Sequence, residues 1–532
     1  MEALTYPECQ VSKDVKIALS YNSNPPISQI ISGRISFSTF IFHWVYRPLF
    51  LGLIISLFSC QTVWAFEINT HKQLTDKAIE SIESQLNTYL IDNLGLEGGL
   101  NEQLGGLNAI GWMIAGSDFE DNVPRFNNHF HDPISDTGLG LGESAIDWSL
   151  RPIGEQEWSW NDAREYYFKA LTSETKDERD ENWRKTFRAL GQVMHLLQDQ
   201  ASPAHVRNDP HLSQFGLGDV DGLHDFMFMR DVATYVGLGI IGPDPSILED
   251  AHQTQPVPIA NLFDHNQYTG PNPNASLGGQ AGLAEYTNAN FFSDDTIPGQ
   301  IATDSLFFQT YAHPSLAELV PAPVPSPYLT VARLGSAAFP GARAAKITGN
   351  QAVATFLLTN TNLDLLGQLQ LDDAVYDAQA QNLIPRAVGY SAAVLDYFFR
   401  PQFPLEPSSH EFQVLGTFDG TGCTMVPDPG SDSGSLDVRF TIPSNLNFGD
   451  RTGFLYYEKT DGTRVLLGEE RTDLPSGQVL FFSGSILRSE LVMDQPVRWY
   501  LVLKGKAGPG EQEEEAILAN TDEASWDYVC LS

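Results

Sequence analysis

Positive charge is scarce in this sequence. Its 532 residues carry 31 Lys and Arg against 67 Asp and Glu, a formal net charge of −36 at pH 7. Such a chain repels polyanions at long range. This counts against a classical nucleic-acid-binding surface, which is usually basic, and no stable nucleic-acid complex is expected. A nuclease is not excluded, because bound divalent metals reverse the field locally. Cysteine is sparse as well: Cys9, Cys60, Cys423 and Cys530 are all there are, and none stands in a Cys-x-x-Cys zinc pattern. Internal repeats are missing. So are long apolar runs. Leu49 to Phe58 is too short for a membrane span and fits the core of an export signal. Arg47 precedes it, and Val63-Trp64-Ala65 offers small residues at the −3 and −1 positions of a cleavage site.

The leading 44 residues, with Pro25-Pro26, are odd for a signal and read as an extension upstream of a true start near Val45. Leu57-Phe58-Ser59-Cys60 is a weak lipobox-like sequence in which Phe58 fits poorly. Lipid anchoring at Cys60 thus ranks below periplasmic or secreted release. Removing residues 1–65 leaves Cys423 and Cys530, which an oxidising compartment would pair.

Hydrophobic residues at 42% and charged residues at 18% describe a globular chain. Residues 66–402 read as a helical domain. Thr70-His71-Lys72-Gln73 has the form of a capping box ahead of Leu74, Ala78 and Ile82. Trp183, Phe187, Leu190, Met194 and Leu197 form a second helical stripe. Gly, Pro, Asn and Asp dominate residues 237–327, which predicts loops with one helix near Gly282–Phe292. Residues 365–399 predict one or two helices with a break at Pro385. A proline-rich linker covers residues 403–409. In residues 410–532 the period falls to two. Leu436, Val438, Phe440 and Ile442 alternate with polar residues, and Val497, Trp499, Leu501 and Leu503 alternate with Arg498, Tyr500, Val502 and Lys504. With a turn at Asp461-Gly462, this predicts an antiparallel β-sandwich.

The helical region holds four clusters of histidine and carboxylate. The sharpest is His195-x3-Asp199-x5-His205. His195 and Asp199 share one helix face beside the apolar stripe, and Pro203 ends the helix so that His205 can fold back. Imidazole and carboxylate converging without thiolate suit zinc. The others are Gly116 to Asp121 with His129-Phe130-His131-Asp132-Pro133, then Asn69-Thr70-His71, then His224-Asp225. Any one alone reads more simply as a cap, a loop hydrogen bond or an ion pair. The four in this order are much harder to attribute to chance.

That order resembles the zinc-dependent phospholipase C/S1-P1 nuclease family. The resemblance covers roughly Phe66 to Arg400 and not the β domain, and it implies an all-α phospholipase C/P1 nuclease-like catalytic domain holding up to three zinc ions; with the β domain that follows, the chain is multi-domain. It implies that cleavage after Ala65 exposes Phe66, whose backbone would bind zinc. It makes His71, Asp121, His129, His195, Asp199 and His205 ligands, with Asp199 shared between ions and Asp121 ligand, base or both. The match weakens at the end. His224 is a plausible ligand, but Phe228 stands where the family has a carboxylate. Asp225 or Asp231 would have to substitute, and Asp231 lies about two helical turns on. The implied activity is hydrolysis of a phospholipid or another phosphodiester, with an S1/P1-type single-strand nuclease as the alternative. Phe119, Phe130 and Phe228 are candidates for contact with substrate. The missing carboxylate at Phe228 motivates a rival reading, a catalytically inactive, metal-stabilised surface-binding protein. In the β domain Asp428, Asp432, Asp437, Asp450 and Asp461 are candidates for Ca²⁺, which would bring that domain to a membrane surface.

Overall fold

The structure is a computed structural model. It describes residues 68–297, 310–347 and 369–399, short internal stretches aside, and the strands with one turn between 433 and 524. The export-signal region, Phe66, the 403–409 linker and all four cysteines lie outside the described residues.

Among the described residues ten α-helices follow in chain order: α1 (Ile68–Thr88), α2 (Ala109–Phe119), α3 (Ala145–Ser149), α4 (Trp160–Thr172), α5 (Lys176–Asp199), α6 (Gly222–Phe228), α7 (Val232–Val236), α8 (Ala260–Phe263), α9 (Leu283–Asn290) and α10 (Asp373–Phe398). The axis of the helical part is α5. Thr175 and Glu178 close a capping box at its start, and Asp177 and Glu178 favour its positive N-terminal end. Its stripe, Trp183, Phe187, Leu190, Met194 and Leu197, is buried as the periodicity predicts. From Ala189 to Asp199 every residue is buried, polar ones included. Helices α1, α2, α4 and α10 pack around it.

Two local expectations fail. Thr70 does not cap α1, which already runs from Ile68. Gln73 instead accepts from the Val232 N–H at 3.0 Å, tying α1 to α7. Pro385 does not break α10. The helix continues through it because its neighbours hold both sides: Pro385 is buried, its carbonyl accepts from Ile241 N–H at 3.1 Å, and Gly389 lets the 241–242 backbone lie directly against the helix. Tertiary packing there outweighs the roughly 3 kcal/mol that proline costs a helix interior.

Sheets depart from the all-helical expectation: two short ribbons, Gln103–Leu104 with Leu107–Asn108 and His211–Leu212 with Leu217–Gly218, and one four-stranded sheet. Strands β1 (Leu319–Pro321), β2 (Tyr328–Val331), β3 (Arg343–Ile347) and β4 (Leu369–Gln370) form an antiparallel sheet in that order. Its core joins Leu329, Val331, Ala345 and Ile347 to Phe292 and Ile297.

The C-terminal part forms two antiparallel sheets. Strands β5 (Ser433–Thr441) and β9 (Val479–Leu487) make one. The other has the order β7 (Arg464–Leu466), β6 (Gly449–Glu458), β10 (Val497–Lys506), β11 (Ala516–Ala524), with β8 (Arg471–Thr472) also on β6. Asp461-Gly462 makes the β6–β7 turn, with Gly462 at φ 81°. Strand β10 buries both faces. Trp499 and Leu503 are buried on one, and Tyr500 and Val502 are buried on the other. The reason is docking. Val502, Ile517 and Ala519 join the apolar core of the helices, and Phe454 meets Phe168 at 5.4 Å. Arg464 donates to Leu171 O at 2.6 Å, and Arg179 donates to Gly462 O at 2.7 Å. No helix among the described residues is long and apolar enough to cross a membrane.

Candidate metal centre

The site begins with two glycines. A Cβ on Gly191 would stand 2.0 Å from Met113 O, and one on Gly116 would stand 2.2 Å from Arg188 O. Their absence lets α2 and α5 cross backbone to backbone, with the two Cα atoms in contact range. That crossing brings the end of α2, with Ser117, Glu120 and Asp121, beside His195 on α5. Buried Glu120 then pins the turn that follows, accepting from Arg125 Nε at 2.7 Å and Trp148 Nε1 at 2.8 Å. The chain returns through a short turn, Arg125–Asn128, to His129. Beyond α5, Pro203 precedes a turn at His205–Arg207 that carries His205 back. Both α2 and α5 end here, and a helix C-terminus carries partial negative charge that favours cations.

Six predicted residues thereby meet. His71, His129, His195, Asp199 and His205 are fully buried, and Asp121 is 4% exposed. Asp199 is the hub. His71 Nε2 lies 3.2 Å from its Oδ1, while His129 Nδ1, His195 Nε2 and His205 Nδ1 lie 2.9, 3.3 and 3.6 Å from its Oδ2. Asp121 Oδ1 is 3.5 Å from His195 Nε2 and 3.8 Å from His129 Nδ1. The His71 and His195 rings stack with centroids 3.7 Å apart.

The outer nitrogens of three rings face acceptors. His195 Nδ1 donates to Ser117 O at 2.5 Å, His129 Nε2 to Glu120 O at 3.3 Å, and His71 Nδ1 to Gln198 Oε1 at 2.8 Å. Gln198 is itself oriented, because its amide nitrogen donates to Thr75 and Ser391. With those protons outward, the inner nitrogens of neutral rings present lone pairs to two carboxylates. His195 Nε2 and His129 Nδ1 are only 3.3 Å apart. Both oxygens of Asp121 and of Asp199 are buried and accept no hydrogen bond of good direction. Buried acceptors facing acceptors are costly unless a cation stands between them.

The electrostatics agree. Burial pushes the Asp121 carboxyl up to about 7, against the pull of His129 and His71. Burial would raise Asp199 too, but His205, His195, His129 and His71 hold it well below the usual carboxylate range. Burial opposes protonation of His129, yet Asp199 and Asp121 outweigh it and raise that ring to about 9. Without a metal, then, protons balance the carboxylates. Metal binding would displace them. The donor set fits zinc, being imidazole and carboxylate with the outer ring nitrogens anchored. Two groups of three ligand atoms sharing His195 are built: His71, His195 and Asp199, and Asp121, His129 and His195.

The remaining predicted residues fall elsewhere. Asp231 does not join the set: its exposed carboxylate caps α7, accepting from Ala233 N–H at 2.9 Å. Phe66 and the side chains of His224, Asp225 and Phe228 lie outside the described residues. Phe130 is buried and stacks on His205 at 4.5 Å, so it backs a ligand instead of offering an open face. Phe119 is partly exposed under the Arg188 guanidinium. Asp461 accepts from Thr463 N–H within its turn, and the side chains of Asp428, Asp432, Asp437 and Asp450 are not described. The positioning role of Gln198 was not foreseen. It follows His195 by three residues, the spacing that places it on the same helix side.

No protein-family model matches the sequence, and no curated protein matches it. Among solved structures, an alpha-toxin of Clostridium perfringens from avian strain SWCP is 13% identical, with a TM-score of 0.28 over 86% of this chain and 97% of that one. The alpha toxin from Clostridium absonum is 12% identical, with a TM-score of 0.27 over 88% and 100%.

Proposed function

We propose that the chain is an exported zinc-dependent phosphodiesterase whose substrate is a phospholipid. The observation that carries this reading is the convergence of three anchored imidazoles on two buried carboxylates that lack hydrogen-bond donors. The motif order in the sequence directs it to phosphoester chemistry. Zinc, when bound, would supply positive charge to phosphate oxygens and acidify water. The chain's own part is positional. Asp199 holds the ligand set together, and Ser117 O, Glu120 O and Gln198 hold the rings. Asp121 is the only member of the six with measurable exposure, which suits a carboxylate that exchanges a proton with an entering water. In the proposed step a water oxygen bonds to phosphorus as the bond from phosphorus to the leaving oxygen breaks. Asp121 takes the water's proton and returns it to the departing alcohol.

The burial of the ligands favours one rival, a structural metal in a surface-binding protein. Hydrolysis of phosphatidylcholine vesicles, a simple phosphodiester and single-stranded DNA by zinc-loaded protein separates the readings. Vesicle hydrolysis is expected. Asp199→Asn should reduce it beyond the roughly 10- to 100-fold loss typical of disturbing a ligand's supporting partner. DNA cleavage alone would make the chain a nuclease. Activity on none of the three at full zinc occupancy would leave the structural metal.

A further inference from the structure

A second group of histidine and carboxylate stands outside this centre. One ring nitrogen of His131 and one carboxylate oxygen each of Asp264 and Asp136 lie within 4.8 Å of one another. His131 and Asp264 are buried, at 0% and 1% exposure, and Asp136 is exposed. The group therefore has a closed floor and an open mouth.

Its parts are anchored as ligands are. Ser144 Oγ accepts from Ile146 N–H at 3.2 Å, capping α3, and lies 2.8 Å from His131 Nδ1. With Nδ1–H donated to that oxygen, Nε2 turns its lone pair to Asp264 Oδ2, 3.1 Å away. The other Asp264 oxygen accepts from Asn266 N–H at 2.8 Å. Asp136 sits in a turn at φ 55°, held by its own N–H to Asp132 O at 2.8 Å. Asp tolerates that left-handed backbone better than most residues.

Carboxyl groups crowd this part of the fold. The imidazole beside Asp264 is that of His131, at 3.1 Å, and fully buried Glu285 lies near the same carboxylate. Glu285 accepts backbone N–H groups of His265, Tyr268 and Gly282, yet burial and the nearby Asp264 push it up to about 8. His252 also faces the group, but its Nδ1 is taken by the N–H groups of Thr254 and Gln255.

We propose that His131, Asp264 and Asp136 form a second divalent-cation site, independent of the Asp199 centre, for a transition ion of the zinc and manganese class. One nitrogen with two carboxylates suits that class, while purely oxygen sites suit calcium or magnesium. The competing arrangement places only a proton on Nε2 and makes Ser144, His131 and Asp264 a hydrogen-bonded relay.

The test uses the full exported chain. Because Asp136 is exposed, its replacement should leave the fold intact, which near-ultraviolet circular dichroism would verify. Cobalt(II) titration of Asp136→Cys is expected to give a thiolate-to-cobalt charge-transfer band that wild type lacks and that Asp136→Cys/Asp199→Asn retains. Asp136→Ala is expected to hold about one zinc fewer per chain than wild type after dialysis, with hydrolysis unchanged. No new band together with an unchanged zinc content in folded protein would overturn the proposal and leave the relay. Loss of the band in the Asp199→Asn background would overturn its independence from the first centre.

Discussion

The α2–α5 crossing offers the sharpest test of how the centre is assembled. Gly191→Ala adds one methyl group to a helix interior. By intrinsic propensity alone that should stabilise the helix by about 1 kcal/mol. The structure predicts the opposite. The added carbon would lie 2.0 Å from Met113 O, 2.9 Å from Met113 C and 3.0 Å from Gly116 Cα. All three neighbours are backbone atoms of α2, so no side-chain rotation relieves the contact. The helices must part by roughly 1.4 Å to restore ordinary van der Waals separation. Overpacking of this kind costs about 1–3 kcal/mol, and here it also cancels the propensity gain. The same displacement moves Ser117 O from His195 Nδ1 and Asp121 from His195 Nε2, now 2.5 and 3.5 Å apart. Urea unfolding of the metal-free protein should therefore show a midpoint below wild type, and zinc affinity should fall by competition with a chelator. A Gly191→Ala protein at least as stable as wild type, with undiminished zinc affinity, would refute the reasoning.

Gln198→Leu keeps the volume but removes the acceptor that orients His71, so zinc affinity should fall about 10- to 100-fold; an affinity within twofold of wild type would deny that role. Asp209 gives a pH-dependent signature. Its carboxyl is buried and pushed up to about 7, chiefly by burial. Between its ordinary pKa of 3.8 and about 7 the folded state holds the extra proton, so this group's stabilisation is complete below 3.8 and lost as pH rises through 7. Asp209→Asn should gain on wild type in urea midpoint from pH 5 to pH 8, and a constant difference would count against the shift.

What could be read in advance followed local rules. The α5 stripe, the His195–Asp199 face and the Asp461-Gly462 turn are short-range patterns, and helical or hairpin geometry forces their outcome. The failures share a cause. Thr70 and Pro385 carry strong local signals, but Val232 N–H claims Gln73 and the 241–242 backbone supports α10. Strand β10 obeys its period of two, yet both of its faces are covered, because Val502 joins the core of the helices. Asp264 stands 133 residues from His131 with no motif linking them, so only the folded chain brings the pair to 3.1 Å. Asp231 was placed by counting helical turns, but its own helix starts at Val232 and uses it as the cap.

The charge of the chain bears on the choice of substrate. A net charge of −36 opposes the approach of a polynucleotide, whose phosphates are repelled together. Counter-ions screen this over about 8 Å at physiological salt, so the opposition is strongest where acidic surface lies close to the path of approach. A zwitterionic phospholipid headgroup has no net charge and meets no such barrier. Within the ligand set the balance differs, because anchored imidazoles and two carboxylates provide for cations whose charge would exceed that of one phosphodiester. In the proposed reading, an acidic chain around a metal-loaded centre would discriminate by the charge of the whole substrate, while still attracting the single phosphate that reaches the floor. That combination favours isolated phosphodiesters in neutral molecules, and it is the physical reason for ranking phospholipid above nucleic acid.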